Sequence, residues 1–141
     1  MTTQRLYRLA DARQIPVFLL PLPECGSISL QDARGRCAIG MDSGCAAQAS
    51  ERVHLAHELG HCLTGSFYNC QSPLDLRQKH ENHADKWAIS ALIPRSAYQA
   101  ALADGCTELW QLAERFGVTE DFARKAVCWY RHGNLASDLF E

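Results

Sequence analysis

The stretch HLAHELGHCLTG, residues 54–65, is the segment from which the fold can be worked out. Three of its apolar residues recur at helical spacing: Leu55, Leu59 and Cys62. His57 and His61 are four residues apart, so on a helix they lie about 40° apart around the axis and point away from the apolar side. The sequence therefore predicts a helix that packs its apolar side against a core and carries a histidine pair on the other side.

The histidine pair has the spacing of a metal site. Two imidazoles at positions i and i+4 can chelate one zinc ion, and Glu58 lies beside them, where a carboxylate can act as a general base. This H-E-x-x-H pattern is typical of zinc peptidases. A longer version with a third histidine is excluded, because Thr64 and Phe67 stand where it requires glycine and histidine. The alternative is a polar helix face that carries two histidines for no chemical reason.

A third ligand can come from the segment HENHADKWA, residues 80–88, which also has helical spacing. Glu81 and Asp85 share one face of that helix, and Glu81 is the candidate ligand. Asp85, one turn later, could hydrogen-bond the far ring nitrogen of His57 or His61 and fix its tautomer. The alternative is that both carboxylates are solvated on an exposed helix.

Small residues suggest how the two helices meet. Ala84 and Ala88 lie on the same face as Glu81, and Gly60 and Ala56 flank the histidines on the first helix. Such faces allow close approach of two backbones, which would bring the carboxylate to the histidine pair. His80 and His83 point away from Glu81 and are weaker candidates.

These two segments together resemble the ImmA/IrrE family of metallopeptidases. The family pattern is an AHELGH helix followed by a Glu-x-x-Ala-Asp/Asn helix that ends in a Leu/Ile-Pro step. Ala56–His61 match its first part, and the second part is matched by Glu81, Ala84, Asp85, Ala88, Leu92 and Pro94. The segment LAERFGVTEDFARKAV also resembles the family's ending, so the resemblance covers roughly residues 36–132.

The resemblance implies a gluzincin-like site of the thermolysin type, with one zinc ion per chain held by His57, His61 and Glu81, and with Glu58 catalytic. It also implies a substrate, because members of the family are associated with cleaving DNA-binding repressors encoded beside them. One departure concerns the last helix: where the family often has an Arg-Leu pair, this chain has Lys125, Ala126 and Val127.

Length and composition predict one domain over residues 1–141, and the resemblance implies that it is a metallopeptidase domain. Hydrophobic residues make up 47% of the 141 and charged residues 21%, which is an ordinary globular balance. The net charge of -2 does not favour a polyanionic partner. No apolar run reaches the roughly 18 residues of a membrane span, and the first residues lack the apolar core of a signal peptide. The expected location is the cytoplasm, without membrane association.

The predicted fold class is α+β, with a small antiparallel sheet beside a mostly helical, zincin-like body. Strands are predicted at IPVFLL, SISL and RCAIGM, with a turn at QDARGR. The expected organisation is an N-terminal helix and sheet over 1–45, the histidine helix over 50–65 with Ser50 as its N-cap, the third-ligand helix over 80–93, and C-terminal helices over 95–132. The segment SFYNCQSPLDLRQ has no period and is predicted to be a loop.

Two further residues are candidates for contacts with the substrate. His54 lies on the same side of the helix as the ligands, one turn earlier, although an ordinary surface or core histidine is the simpler interpretation. Tyr68 could donate a hydrogen bond to an oxyanion, or simply pack. RCAIGM, residues 36–41, is the candidate sheet edge for an extended substrate. The seven cysteines have no C-x-x-C pair and are interpreted as small buried hydrophobic residues.

The C-terminal segment resembles a helix-turn-helix but lacks the charge for DNA binding. Residues 107–132 carry four acidic and four basic side chains, whereas specific duplex binding usually shows a basic stripe. We therefore expect a helical hairpin and no direct contact with nucleic acid. The sequence favours a zinc metalloendopeptidase that acts on a specific protein, and the family resemblance implies a DNA-binding repressor as its partner. The alternative is a regulatory module that keeps zinc for structure and inactivates a partner by binding.

Overall fold

The computed structural model describes residues 1–24, 26–44, 47–68, 72–133 and 135. It is an α+β structure in which helices dominate, as the sequence predicts. In chain order the described elements are α1 (Thr3–Ala12), β1 (Val17–Leu20), β2 (Ser27–Gln31), β3 (Cys37–Asp42), α2 (Gln48–Thr64), α3 (Leu74–Leu92), α4 (Arg95–Ala103), α5 (Leu109–Phe116) and α6 (Glu120–His132).

The sheet is mixed, so the expectation of an antiparallel sheet is wrong in part. Its strand order is β1-β3-β2, with β2 and β3 antiparallel and β1 and β3 parallel. The β2–β3 hairpin turns over residues 32–36, where Gly35 has a φ of 81°. An antiparallel sheet would result if each strand paired with its neighbour in the chain. Instead β3, the strand with the most buried residues, inserts between the other two.

Because β3 is central, RCAIGM is not an edge strand, and the sequence-based choice of a substrate edge is wrong. The edge beside α2 is β2. Backbone hydrogen bonds from Asp42 N–H to Gly26 C=O and from Asp32 N–H to Arg36 C=O show which residues of the hairpin form hydrogen-bonded pairs. The even-numbered residues of β2 therefore bond to β3, whereas Ser27 and Ser29 direct their backbone N–H and C=O groups outward.

Among the residues that the structure describes, helices cover one face of the sheet. The inner face contributes Ile39 and Met41 to a core completed by residues of α1, α2 and α3, among them Leu6, Leu55, Leu59, Ile89 and Leu92. The outer face carries apolar residues that remain exposed: Phe18, Leu20, Ile28 and Leu30.

Helices α2 and α3 approach closely at a glycine. A Cβ added to Gly60 would lie 2.5 Å from the carbonyl oxygen of Ala84 and 2.9 Å from its Cα. Only a residue without a side chain allows this packing, which brings the histidine face of α2 against the carboxylate face of α3. Helix α2 then ends at Gly65, which has a left-handed φ of 67°, as the sequence predicts.

Two helix starts differ from the prediction. Helix α2 begins at Gln48 with Ala47 as its N-cap, so Ser50 lies inside the helix and is not the cap. Helix α3 begins at Leu74, six residues before the expected start, directly after Pro73. Its first turns place Leu74 and Leu76 in solvent, so they show no helical period. Residues 69–71 of the predicted loop lie outside the described residues.

The cysteines fit the interpretation of small packed residues only in part. Cys128 is fully buried, whereas Cys37, Cys62 and Cys106 are partly buried. Cys25, Cys45 and Cys70 lie outside the described residues. None of the helices described here combines the length and apolar character that a membrane-spanning segment requires.

Candidate metal centre

Three side chains from α2 and α3 converge on one point. His57, His61 and Glu81 each present a potential ligand atom, and these atoms lie within 4.8 Å of one another. The Nε2 atoms of the two histidines are 3.2 Å apart. Glu81 spans the pair, with Oε2 2.7 Å from His57 Nε2 and Oε1 3.2 Å from His61 Nε2. Both helices are therefore needed to assemble the group.

In both His57 and His61 the other ring nitrogen, Nδ1, has a hydrogen-bond partner of its own. Nδ1 of His57 lies 2.8 Å from Oδ1 of Asp85. Nδ1 of His61 is hydrogen-bonded to the backbone carbonyl oxygen of Ser66, just after the end of α2. Since a carboxylate and a carbonyl oxygen accept hydrogen bonds, both Nδ1 atoms donate, and the lone pairs of both Nε2 atoms face each other. A proton or a cation between them relieves that repulsion, so the residues fit a metal ion.

The pKa values of the group reflect this arrangement. Burial alone would lower the pKa of His57, but hydrogen bonds to Asp85 and Glu81 outweigh it and raise the pKa to about 10. Burial opposes ionisation of Glu81, yet its hydrogen bonds to His57, His61 and Tyr68 hold its pKa well below the usual range. Without metal, a proton on the imidazole side therefore balances the carboxylate.

Asp85 is itself buried and held from the last helix. Only 5% of the residue is exposed, and its Oδ2 lies 3.3 Å from Nζ of Lys125 on α6. A buried carboxylate without a partner is costly, so Lys125 and His57 together stabilise it. The position at which the chain departs from the resembled Arg-Leu pair thus contributes a cation to the network behind the metal group.

Glu58 points into the interior rather than into open solvent. It is 6% exposed, and its Oε2 accepts a hydrogen bond of 2.6 Å from Oγ of Ser27 on β2. The same Ser27 Oγ lies 3.1 Å from Nδ1 of His54, one turn before Glu58 on α2. Burial lowers the pKa of His54. His54 therefore contacts Ser27, which bonds to Glu58, and it also lines a cavity that His57, Glu58 and Glu81 border.

Tyr68 lies on the far side of the group, close to Glu81. Its hydroxyl donates a 2.7 Å hydrogen bond to Oε1 of Glu81, and this bond together with burial raises the pKa of Tyr68 to about 12. His80 stacks on its ring, with 6.4 Å between centroids. His83 faces Ser66 instead, with Nδ1 3.3 Å from Oγ, so neither His80 nor His83 joins the converging group.

Two cavities meet at these residues. One of about 330 Å³ is lined by β2 together with Phe67 and Tyr68. The other, of about 350 Å³, opens toward the start of α6 and Lys125. Both are bordered by the same four residues: Ser27, His57, Glu58 and Glu81. The group formed by His57, His61 and Glu81 therefore lies on the floor of a cleft that runs from the edge of the sheet to the C-terminal helices α5 and α6.

Sequence reasoning missed three participants in this network: Ser27, Ser66 and Lys125. Ser66 acts through its backbone carbonyl, which no residue type signals. The sequence shows Lys125 as a departure from the family's Arg-Leu pair and as one charge of its helix, and neither feature points to Asp85. Ser27 left one usable signal, because serines alternate with apolar residues in SISL and a polar inner face on a strand marks a polar site.

Comparison with known proteins agrees with the site. A family model described as Peptidase_M78, IrrE N-terminal-like domain, matches residues 12–127. Among curated proteins and among solved structures, no significant match is found. Since the family match covers most of the chain, the protein belongs to the IrrE N-terminal-like domain family of peptidases.

Proposed function

We propose that this protein is a zinc-dependent metalloendopeptidase that cleaves one specific protein partner. One observation carries the proposal: His57, His61 and Glu81 converge, and a buried carboxylate, Glu58, lies on the same cleft. Membership of a peptidase family supports the same reaction class. The cleft, the ligand group and the base together meet the requirements of metal-assisted hydrolysis.

Zinc is the proposed metal because of the donor set. Two imidazole nitrogens and one carboxylate form the three-ligand arrangement of catalytic zinc sites, which keep a fourth position open. A structural site would normally close that position with another cysteine or histidine. In the described ranges the converging group contains only the three residues. The hydrogen bonds that the two imidazoles donate to Asp85 and to the Ser66 carbonyl oxygen orient the rings for a cation at Nε2.

Each residue then has a chemical role. Zinc held by His57, His61 and Glu81 supplies Lewis acidity, which acidifies water and polarises a carbonyl group. Glu58 accepts a proton from the attacking water and passes it to the leaving amine. Asp85 fixes the tautomer of His57 and partly neutralises the positive charge at the site.

Tyr68 is the proposed oxyanion donor. Its hydroxyl already reaches the metal group through Glu81, and its ring lines the cavity beside β2. A rotation of the side chain would turn the hydroxyl from the carboxylate toward a tetrahedral oxyanion. A donor so placed contributes substantially to catalysis of acyl transfer.

The substrate segment is proposed to bind as an added strand along β2. The backbone groups of Ser27 and Ser29 face outward at this edge, and the residues of β2 line the cavity that contains His57 and Glu58. An extended linker can adopt that conformation, whereas a packed domain cannot. This favours one or two cuts in one partner over general degradation.

The proposed partner is a DNA-binding repressor encoded beside this protein, as the family resemblance implies. Incubating the zinc-loaded protein with that repressor, with and without a chelator, tests the proposal. We expect one or two cuts that the chelator abolishes, and little activity on casein. Broad degradation of unfolded proteins would contradict the narrow specificity. Loss of operator binding by an intact repressor would instead favour regulation by binding alone.

A further inference from the structure

We infer that Ser27, supported by His54, is a positioning residue that holds the Glu58 carboxylate in the orientation needed for proton transfer. The inference deepens the proposed function and rests on Glu58 acting as the base there. It assigns to strand β2 a second task beyond lining the cleft. It also gives His54 a defined role, as the hydrogen-bond partner of Ser27.

The geometry around Glu58 restricts its carboxylate strongly. Ser27 is 8% exposed and Glu58 6%, and the 2.6 Å bond between them links the sheet to α2 across 31 residues of sequence. This bond occupies Oε2. Within the described part of the chain no group donates a hydrogen bond to Oε1, which leaves that oxygen available to a water molecule in the cleft.

The direction of the hydrogen bonds that link His54, Ser27 and Glu58 follows from the number of protons available. The Ser27 hydroxyl has one proton and donates it to Oε2 of Glu58. The 3.1 Å contact between Ser27 Oγ and His54 Nδ1 must then be a bond in which Nδ1–H donates. The direction of the chain is therefore from His54 to Ser27 to Glu58, and it fixes the tautomer of His54.

The space for His54 comes from Gly26, the residue before Ser27. A Cβ on Gly26 would lie 2.7 Å from Cε1 and 2.8 Å from Nε2 of the imidazole, and its φ of 75° disfavours other residues as well. The ring thus packs directly against the backbone that precedes Ser27. The outward backbone groups of Ser27 belong to the proposed substrate edge, and its side chain bonds to Glu58. The segment of Gly26 and Ser27 therefore aligns both the substrate and the base.

A first test does not require activity. Long-range ¹⁵N–¹H spectra of the histidine rings, recorded near pH 8 with and without zinc, report the tautomer of each neutral imidazole. We expect His54 to carry its proton on Nδ1 in the wild-type protein and to lose this preference in Ser27→Ala. A neutral His54 protonated on Nε2 would overturn the inference, because Nδ1 would then take the Ser27 proton and leave Glu58 without its donor.

A second test separates positioning from structure. A random-sequence peptide library is digested with the zinc-loaded wild-type protein, and one cut peptide is resynthesised as a fluorogenic substrate. Ser27→Ala should lower kcat about tenfold or more, the loss expected for one hydrogen bond to a charged group, with KM within about twofold of wild type and with zinc content unchanged. Ser27→Thr, which keeps the hydroxyl, should restore most of kcat. Ser43→Ala, an exposed serine of the same sheet region, is the matched control.

The outcomes distinguish the inference from the function on which it rests. A Ser27→Ala protein with wild-type kcat, while Glu58→Gln is inactive, would overturn the positioning role and leave the peptidase intact. A fall in thermal stability of Ser27→Ala that accounts for its whole loss of activity would do the same. A wild-type protein that cuts neither the library nor the neighbouring repressor would contradict the peptidase proposal, and the tautomer measurement would then decide the hydrogen-bond chain by itself.

Discussion

The two faces of strand β2 differ in a way that reverses the usual distribution of polar and apolar residues. On its inner face Ser27 contacts a buried carboxylate, and His61 and Asp85 are buried nearby. On its outer face Ile28 and Leu30 are exposed, the latter at 59%. Buried polar groups and exposed apolar groups are the informative exceptions in a folded protein.

The buried polar groups of the inner face and the exposed apolar groups of the outer face are exceptional for different physical reasons. On the inner side nearly every polar atom named here has a partner, and the network converges on one point between two helices. The free-energy cost of burying these polar groups is therefore offset by their hydrogen bonds, and such a convergent arrangement is typical of a chemical site. The outer face has no such convergence among the described residues.

The largest expected effect is loss of the metal. A protein with both His57→Ala and His61→Ala should bind no zinc, because two of three ligands are gone. Glu81→Ala should retain zinc weakly, whereas His80→Ala and His83→Ala should bind one zinc ion per chain like the wild type. Metal analysis of the purified proteins measures this. If His83→Ala removes the metal and Glu81→Ala does not, the ligand assignment is wrong.

The next effect concerns the packing that assembles the site. Gly60→Ala places a methyl group against the backbone of Ala84 and should cost about 3 kcal/mol or more of stability, as overpacking does, while also weakening zinc binding. Gly65→Ala is the matched control, because its Cβ meets open space and only the left-handed backbone is strained, at about 1 kcal/mol. Equal denaturation midpoints for the two variants would show that α2 and α3 are not in such close contact.

A smaller effect should appear with pH in the metal-free protein. The pKa of His57 is raised on folding to about 10, so its contribution to stability is fully present below its ordinary value near 6.5 and is lost as pH rises through 10. Thermal melts of metal-free protein should therefore show declining stability from pH 7 to 10. The decline should be absent in His57→Ala. A wild-type profile that rises over this range would contradict the paired state of His57.

The smallest effect is expected on the outer face. Phe18 is 54% exposed, so Phe18→Ser should change stability by less than about 0.5 kcal/mol and leave zinc content unchanged. Ile39→Ala, on the buried face of the same sheet, should cost about 2–5 kcal/mol. Chemical denaturation of the two variants provides the comparison. If Phe18→Ser is as destabilising as Ile39→Ala, the outer face is covered in solution.

Much of this arrangement was predictable from local patterns. Helical period, Gly65 and the H-E-x-x-H spacing predicted α2 and its histidine face, and the small residues Gly60 and Ala84 predicted the close approach of α3. These signals work because each lies within one element. The mixed sheet was not predictable in this way, because the insertion of β3 between β1 and β2 depends on contacts between distant strands.

The candidate site shows the same division between local and distant information. Asp85 was expected near one of the two histidines, and the structure places it at His57. Ser27 and Lys125 come from other elements and enter the network only after the chain has folded. The helical wheel of α2 predicts that His54 lies on the side of the ligands. It contains no information about strand β2, whose Ser27 contacts Nδ1 of His54.

The central claim is that the inner network performs hydrolysis and does not merely hold a metal. The most direct measurement compares zinc-loaded wild-type protein with Glu58→Gln on the neighbouring repressor, with zinc content and melting temperature determined on the same samples. The amide is nearly isosteric with the carboxylate and cannot accept the proton, so we expect equal zinc, similar stability and a loss of cleavage of about 10²-fold or more. Equal cleavage by the two proteins would contradict the account, because Glu58 would then have no part in the reaction.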